Sequence, residues 1–358
     1  MSSRITIKDV SRATGVSVST VSNALNAPER VAEETRLKVV EAADRLGYRP
    51  NRAARILPKG RSFTIGYCIP AGRDGFFLDT FLHQITERAS DVEMDIHLFT
   101  PHRGQTEADS YREMMRRGAV DGFVLSGTVH DDERIRVLLD SRTSFVTFGR
   151  SDLADNHSWV DVDGRAGTRA AVDHLVEAGH TRLALIGWPK GSLSGDDRAS
   201  GFVEGLEAAG LSFDARHLIR TENEFAAGRE AASLLLDAVL PPTAIVTVQD
   251  VLAAGVIAEL HARGLRPGGD VAVTGFDDSP PAIYSTPGIT SVRQPIEEIG
   301  RRIVEFLMHD LEDPEPIRHS DLVEPELVIR ESSTGFRAPL SGQEPRLARE
   351  NGKEREPA

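Results

Sequence analysis

Short polar side chains gather near the amino terminus in the stretch TIKDVSRATGVSVSTVSNALN, residues 6–26. Its pattern predicts helices over residues 7–14 and 18–25, because Thr6 and Ser17 suit N-caps and Gly15 breaks the chain. The side chains expected near the start and outer face of the second helix are Val18, Ser19, Thr20, Ser22 and Asn23. An α-helix fits the major groove of DNA, where such side chains reach base edges and phosphates. A generic helical hairpin with exposed Ser and Thr has the same pattern, so both interpretations stay open.

A second suggestive segment is PNRAARIL, residues 50–57. Pro50 can start a helix, but one turn that ends in Ile56 and Leu57 is too short to be stable alone. Its apolar end therefore needs a partner. Either it docks on the rest of the protein, or it wedges into a DNA minor groove, where Leu and Ile side chains separate base steps.

The charges are distributed unevenly along the chain. The whole sequence carries −13, which argues against general affinity for nucleic acid. Residues 1–62, however, hold 12 Lys and Arg against 6 Asp and Glu, so this segment carries +6 and the remainder −19. A basic block on an acidic body is typical of a tethered nucleic-acid-binding module, although a surplus of this size also arises by chance.

Length and composition indicate a soluble protein of more than one domain. A chain of 358 residues with 40% hydrophobic and 27% charged residues is too long for one compact core. No apolar run approaches the ~20 residues that span a bilayer, and the polar start MSSRITIKDV is unlike a signal peptide. The single cysteine, Cys68, cannot form an internal disulfide, which fits a reducing cytosol. We therefore expect a cytoplasmic protein that does not associate with membranes.

The elements that must position these residues follow from periodicity. A third helix is predicted over residues 33–46, with Leu37, Val40, Ala43 and Leu46 on one stripe and Gly47 as its end. From Phe63 onward, strands and helices alternate, which predicts two parallel sheets covered on both faces. The predicted strands are residues 64–69, 95–99, 122–125, 144–148, 159–162, 182–186, 244–248 and 271–274. The predicted helices between them include residues 77–90, 106–117, 166–177, 198–209, 229–238 and 251–262.

Enzyme and metal motifs are absent from the sequence. It contains no G-x-G-x-x-G, no phosphate-binding G-x-x-x-x-G-K-[ST] and no G-x-S-x-G; the segment GSLSG at 191–195 has Leu193 at the position of the nucleophile. The 11 histidines form no H-E-x-x-H, and one cysteine makes a zinc cluster improbable. We expect no enzymatic activity, no cofactor and no metal site.

Several segments together resemble one protein family. Residues 6–26, the run RVAEETRLKVVEAADRLGYRPNRAARIL and the later runs VDVDGRAGTRAAVDHLVEAGHTRLALIG, DRASGFVEGL, VAVTGFDDS and ITSVRQPIEEIG resemble the LacI/GalR family of bacterial repressors. The resemblance covers residues 5–330, with the motifs in the family's order.

The resemblance implies roles in DNA binding. By position, Val18, Ser19 and Asn23 match base-reading residues, Thr6, Thr20 and Ser22 match backbone contacts, Arg52 and Ala54 match hinge contacts in the minor groove, and Leu57 matches the intercalating leucine. Two positions depart from the family pattern. Ala32 replaces a common serine cap, and Pro58 directly follows Leu57, which disfavours helical geometry there.

The resemblance also implies an α/β fold: a two-lobed, periplasmic-binding-protein-like core of doubly wound parallel sheets behind an all-α helix-turn-helix headpiece. The expected crossings between lobes are near residues 160–163, 288–291 and 321–324. The expected parts are a headpiece and hinge helix at 1–62, a core at 63–336 and a disordered tail at 337–358. Within the core, the N-lobe is expected at about 63–160 and 290–322, and the C-lobe at about 161–289 and 323–336.

The effector of such a core binds between the lobes, at the carboxyl ends of the strands. Arg198 and Asp277 match the family's effector-binding arginine and acid, and both side chains suit sugar hydroxyls. Further candidates lie at or just after predicted strands: Phe76, Phe77 and Trp188 for stacking on a sugar face, and Gln249 for bridging hydroxyls. As isolated residues, the aromatics are more typical of core packing.

The resulting hypothesis is a sequence-specific transcription regulator, a repressor of carbohydrate-utilisation genes. It would bind double-stranded operator DNA of pseudo-palindromic sequence as a homodimer and be released by a mono- or oligosaccharide. The alternative is a sugar-binding protein of the periplasmic-binding-protein type without DNA regulation. The headpiece, the hinge and the lack of a signal peptide favour the first.

Overall fold

The computed structural model describes residues 5–26, 28–48, 61–69, 76–313 and 315–336. The chain forms two compact units, one made of residues 1–63 with 118–121 and the other of the remainder. The predicted hinge helix and the predicted disordered tail at 337–358 lie outside the described residues. No helix in the described ranges is long and apolar enough to cross a membrane.

The amino-terminal unit contains three helices: α1 (Ile7–Thr14), α2 (Val18–Asn26) and α3 (Glu33–Leu46). These are the three predicted helices, and local chemistry sets their ends. The Asp9 carboxylate accepts hydrogen bonds from the backbone and hydroxyl of Thr6, and Ser17 Oγ accepts one from Thr20 N at 3.1 Å. Gly15 and Gly47 end α1 and α3 with φ values of 74° and 68°, which a glycine adopts without strain.

A small apolar core holds these helices together. Its buried members are Val10, Val21, Ala24, Val39, Ala42 and Ala43. The stripe predicted on α3 is therefore wrong at one end, since Leu37 is 54% exposed and Val39 is buried in its place. The second helix keeps the opposite face, around Val18 and Ser19, in contact with solvent.

The larger unit is an α/β structure with two six-stranded sheets. Its strands are β1 (Thr64–Cys68), β2 (Asp95–Phe99), β3 (Gly122–Ser126), β4 (Ser144–Phe148), β5 (Ser158–Val162), β6 (Leu183–Gly187), β7 (Leu218–Arg220), β8 (Ala244–Thr247), β9 (Ala272–Asp277), β10 (Thr290–Arg293), β11 (Ser320–Val323) and β12 (Glu326–Val328). Its helices are α4 (Phe76–Asp91), α5 (Glu107–Arg117), α6 (Glu133–Asp140), α7 (Gly164–Glu177), α8 (Leu193–Ala208), α9 (Phe225–Leu236), α10 (Asp250–Ala262), α11 (Pro280–Tyr284) and α12 (Ile296–Glu312).

Each sheet is the centre of one lobe. The first lobe has the strand order β11-β5-β4-β3-β1-β2, all parallel, and the second has β12-β10-β9-β8-β6-β7, in which β12 alone is antiparallel to its neighbour. In the first lobe β1 pairs with both β2 and β3, and in the second lobe β6 pairs with both β7 and β8. The chain connections that follow these strands therefore lead to opposite sides of β1 and β6. This divergence opens a crevice at the carboxyl ends of the strands.

The chain passes between the lobes three times, and one of the predicted crossings is wrong. Residues Thr290–Arg293 form β10, which pairs with β9 in the second lobe, so the crossing lies at residues 294–295 and not at 288–291. Residues 161–162 belong to β5 of the first lobe, not to the C-lobe. Strand β10 was not predicted because it begins with two polar residues, Thr290 and Ser291. In the structure, Ser291 Oγ donates to Asp250 Oδ1 at 2.6 Å and Thr290 Oγ1 donates to the Arg330 carbonyl at 3.0 Å. These bonds allow both hydroxyls to be buried in a sheet.

Candidate effector and DNA-binding sites

A cavity of about 530 Å³ lies between the two lobes. Its lining follows strand ends in both sheets, which is where parallel α/β sheets bind small molecules. The lining residues that concern the chemistry below are Phe77, Phe148, Asp161, Trp188, Asp197, Arg198, Gln249, Asp277 and Gln294. Five of the six sequence-predicted effector residues are thus brought to one cavity. The sixth, Phe76, begins α4, and its side chain lies outside what the structure describes.

A buried pair of opposite charges lies in the wall of this cavity. Arg198, in α8, places Nη2 at 3.8 Å from Oδ1 of Asp277, the last residue of β9, and both side chains are less than 10% exposed. Arg198 Nη1 also donates to the Val248 carbonyl at 2.6 Å. Burial lowers the pKa of Arg198, while the neighbouring Asp277 raises it. Pairing with an opposite charge offsets the free-energy cost of burying each charge and fixes the position of both side chains.

Two amides hold the Asp277 carboxylate in place. Gln249 Nε2 donates to Asp277 Oδ2 at 2.6 Å, and Gln294 Nε2 donates to Asp277 Oδ1 at 2.5 Å. The backbone of Asp277 has φ of 102°, a conformation rarely adopted by residues other than glycine, at the point where β9 enters the cavity. Burial raises the pKa of Asp277, whereas Arg198 and the two amides lower it.

Aromatic side chains line both lobes of the cavity. Phe77 stacks on Phe148 with ring centroids 5.3 Å apart, and both residues line the cavity in the first lobe. In the second lobe, Trp188 lies 5.0 Å from the Arg198 guanidinium, and the Phe276 ring lies 3.6 Å from it. The cavity therefore combines flat apolar surfaces with converging polar groups.

Two buried polar atoms at the cavity find no hydrogen-bond partner among the described residues. They are Nε1 of Trp188, a donor, and Oε1 of Gln249, an acceptor. Buried polar atoms normally have partners, since an unpartnered group costs ~1–3 kcal/mol.

Several cavity residues were not among those predicted from the sequence. Phe148 and Asp161 lie at or near the ends of β4 and β5, Asp197 precedes Arg198 in α8, and Gln294 lies on the second crossing between lobes. The rule that ligands bind at strand ends would have found Phe148 and Asp161. The sequence does not indicate Gln294, because the family resemblance implies a crossing at residues 288–291.

The candidate DNA-reading side chains lie on the solvent side of the headpiece. Val18 is 40% exposed and Ser19 is exposed, while Thr20, Ser22 and Asn23 are partly exposed along the same helix. Ser17 Oγ lies 2.7 Å from Ser19 Oγ and 2.8 Å from Thr20 Oγ1, so hydroxyl groups cluster at the start of α2. Thr6 is also exposed, before α1. The candidates Arg52, Ala54 and Leu57 lie outside the described residues.

The potential metal ligands and the cysteine of the described residues bear on the expectation from the sequence. No three His, Cys, Asp or Glu side chains are grouped in these ranges so as to hold a metal ion. Cys68 is buried, and burial raises the pKa of its thiol to about 12. Its thiol is therefore protonated and unreactive at neutral pH.

Comparison with known proteins gives two family matches. Residues 6–51 match the model of bacterial regulatory proteins of the lacI family, and residues 172–333 match a periplasmic binding protein-like domain. Among curated proteins, the HTH-type transcriptional regulator AglR of Rhizobium meliloti (strain 1021) is 32% identical, with 96% of this chain and 99% of that protein covered. This relative is a transcription regulator and not an enzyme. The similarity agrees with the expectation from the sequence that this chain has no enzymatic activity.

Two solved structures have similar folds. The transcriptional regulator CelR in complex with cellobiose has a TM-score of 0.70 and 30% identity, covering 92% of this chain and all of that one. The lac repressor dimer bound to operator and an anti-inducer has a TM-score of 0.81 at 24% identity, covering 93% of this chain and all of that one, a likeness in fold. The matched headpiece, the two-lobed core and the identity along nearly the whole length agree: this chain belongs to the LacI family of DNA-binding transcription regulators.

Proposed function

We propose that this chain is a homodimeric repressor of carbohydrate-utilisation genes, which acts in the cytoplasm and leaves its operator when a mono- or oligosaccharide binds between the lobes. The observation that carries the proposal is the interlobe cavity, where the buried Arg198 and Asp277 lie beside aromatic side chains.

The buried charge pair in the wall of the cavity favours a neutral, hydroxyl-bearing ligand. The charge of Arg198 is already matched by Asp277, so neither is left to neutralise a phosphate or a carboxylate. Both can instead bond hydroxyls, since a guanidinium donates in a planar fork and a carboxylate accepts from neighbouring hydroxyls. The stacked Phe77 and Phe148 offer an apolar surface to the C–H face of a pyranose ring. The similarity to CelR, solved with cellobiose, supports the same class of ligand.

A dimer follows from how a small headpiece reads DNA. One headpiece contacts only a few base pairs, whereas two related by a two-fold axis read a pseudo-palindrome and double the phosphate contacts. The fold shared with the lac repressor, solved as a dimer on its operator, supports this arrangement. The candidate residues for base reading are Val18, Ser19 and Asn23, with Thr6, Thr20, Ser22, Arg52 and Ala54 toward the backbone or minor groove and Leu57 as a wedge.

Coupling between the cavity and DNA has a thermodynamic signature. If sugar binding favours a state of the core that holds operator poorly, the two ligands oppose each other by one common factor. A coupling of about 1–3 kcal/mol changes each affinity roughly 5–150-fold.

The test has two steps. A panel of mono- and oligosaccharides is first screened by thermal shift, since a ligand that binds the folded state raises Tm. The sugar that binds is then titrated by calorimetry with and without saturating operator DNA. We expect weaker sugar binding in the presence of operator. Equal affinities would mean that the chain is not a sugar-controlled switch.

A further inference from the structure

One arginine side chain connects the two lobes beside the cavity. Arg150 follows β4 of the first lobe, and its Nε donates to Asp161 Oδ2 in β5 at 2.9 Å. Its Nη2 donates to Asp197 Oδ2 in α8 of the second lobe. A carboxylate from each lobe is therefore bound by the same guanidinium.

The base of this side chain is held by further bonds within the first lobe. The backbone N of Arg150 donates to Asp161 Oδ2 at 3.2 Å, and its carbonyl accepts from Thr128 Oγ1 at 2.7 Å. Asp161 is itself fixed, because its Oδ1 accepts from Val162 N at 2.8 Å. The guanidinium is thus presented to the second lobe from a rigid support, which reduces the entropy cost of the interlobe bond.

The two carboxylates line the cavity, whereas Arg150 lies outside the lining and is 34% exposed. Asp161 and Asp197 are 12% and 25% exposed, so their charges are partly shielded from water. Without the guanidinium, two negative charges would face each other across the cleft, and like charges in a partly desolvated site repel. The bond to Arg150 replaces that repulsion by attraction to both.

A neighbouring cation contacts Asp197 without crossing the cleft. Arg165, in α7 of the second lobe, pairs with Asp197 at 3.3 Å and with Glu204 of α8 at 3.0 Å. Both of its partners belong to its own lobe. Arg165 can therefore neutralise charge on Asp197 but cannot hold the lobes together, which makes it a matched control.

The mouth of the cavity has a second interlobe contact, made by the backbone. Val129, in the loop after β3, forms an isolated antiparallel bridge with Ser192, the N-cap of α8. This contact does not depend on charge. Of the two, the contact through Arg150 is the one that salt or a single substitution can weaken.

We propose that Arg150 is a positioning residue for the effector site, a clamp that holds Asp161 and Asp197 together and favours the closed cleft. The clamp sets how tightly the cleft retains its ligand, and this part rests on the proposed sugar-binding function. The lobe closure itself does not require any sugar, so the two proposals can fail separately.

The test measures the distance between the two lobes by double electron–electron resonance between a pair of spin labels. Spin labels are placed at Arg103→Cys in the first lobe and Glu207→Cys in the second, both exposed positions, in full-length protein whose labelled subunits are diluted with unlabelled ones. We expect Arg150→Ala to shift the population toward longer distances and Arg150→Lys to do so partially, because an ammonium lacks the planar fork that binds both carboxylates. The control Arg165→Ala should stay close to the parent. In an Asp197→Asn background, Arg150→Ala should have a much smaller effect, since the pair is already broken. An unchanged distance distribution in folded Arg150→Ala would overturn the clamp.

Sugar affinity supplies the second readout. With the sugar found by screening, Arg150→Ala should bind roughly tenfold more weakly. Because a neutral sugar carries no charge, its affinity for the parent should fall as salt screens the clamp, and Arg150→Ala should lose this salt dependence. An affinity equally sensitive to salt in parent and variant would contradict the clamp. Failure of every sugar to bind the parent would instead refute the proposed function, and the distances without sugar would still decide the role of Arg150.

Discussion

Arg198 and Asp277 lie in different elements, 79 residues apart in sequence, yet Nη2 of one is 3.8 Å from Oδ1 of the other inside the cavity. Neither side chain is stable in this environment without its partner, because a buried unpaired charge costs several kcal/mol. The pair is therefore a structural feature of the second lobe as well as part of the wall of the cavity.

We predict that Arg198→Ala and Asp277→Ala each weaken the binding of sugar and leave operator binding intact. Each truncation removes hydrogen bonds to ligand hydroxyls, which costs ~1–3 kcal/mol of binding free energy, about 5- to 150-fold in affinity. Calorimetry with the sugar and gel-shift assays with operator measure the two effects.

The control for this pair is Arg216→Ala. Arg216 is 87% exposed, and its side chain bonds to the nearby Asp214 outside the cavity lining, so its loss should leave both affinities unchanged. Sugar affinity equal to the parent in both cavity variants would refute the assignment of the site.

A second prediction concerns the pH dependence of stability. Burial, with a contribution from the charge of Asp277, raises the pKa of Asp250 from 3.8 to about 7. Between these values the folded state binds more protons than the unfolded state, so this group's contribution to stability is lost as pH rises from about 4 to 7. The Asp250→Asn variant should lack this loss and, relative to the parent, gain roughly 2–3 kcal/mol in unfolding free energy between pH 5 and pH 8.

The side-chain amide that Asp250→Asn introduces can make hydrogen bonds to the same neighbours as the carboxylate. Its oxygen can accept from Ser279, and its NH₂ can donate to Ser291 Oγ, in the places where Asp250 now accepts. Urea unfolding at the two pH values gives the measurement. The control is Asp237→Asn, because the bond to Arg263 lowers the pKa of Asp237 and its titration lies below this range. Equal pH dependence in Asp250→Asn and the parent would show that Asp250 does not titrate there.

A third prediction concerns base reading by the headpiece. Ser19 is exposed at the start of α2, beside the hydroxyls of Ser17 and Thr20. Ser19→Ala should change the preference among operator variants, since a lost hydrogen bond to a base edge is worth ~1–3 kcal/mol of discrimination. The exposed Ser90→Ala, in the larger unit, is the control. A preference that stays the same in Ser19→Ala would remove Ser19 from the readout.

A fourth prediction concerns which part of the chain binds operator and which part binds sugar. Removing residues 1–62 should abolish operator binding and preserve sugar binding, because the cavity is formed entirely by residues of the larger unit. A truncated chain that still binds operator would show that the headpiece is not the DNA-binding part.

The charge of residues 1–62 makes a related prediction for the intact protein. Its affinity for duplex DNA should fall with salt at a logarithmic slope of about −0.9 per phosphate contact. Arg52→Ala should weaken binding to operator and unrelated DNA alike if this residue contacts the backbone. A loss confined to operator would instead identify Arg52 as a base reader.

The sequence alone determined the features that depend on near neighbours. The ends of α1, α2 and α3 follow from Thr6, Ser17, Gly15 and Gly47, because caps and left-handed glycines act within one turn. The alternation of strands and helices predicted two parallel sheets, and strand ends indicated the positions of Phe77, Trp188 and Gln249 beside one cavity.

Only the tertiary structure decided which distant residues meet. Strand β10 pairs with β9 of the second lobe, and there the buried hydroxyls of Thr290 and Ser291 find partners about 40 residues away. The contact of Arg150 with Asp197 spans 47 residues and two lobes, and no local pattern marks either residue. The periodicity of apolar residues indicates that a side chain faces inward, but the packing of the elements determines which residue it contacts. For that reason the sequence indicated a sugar site and did not reveal the clamp beside it.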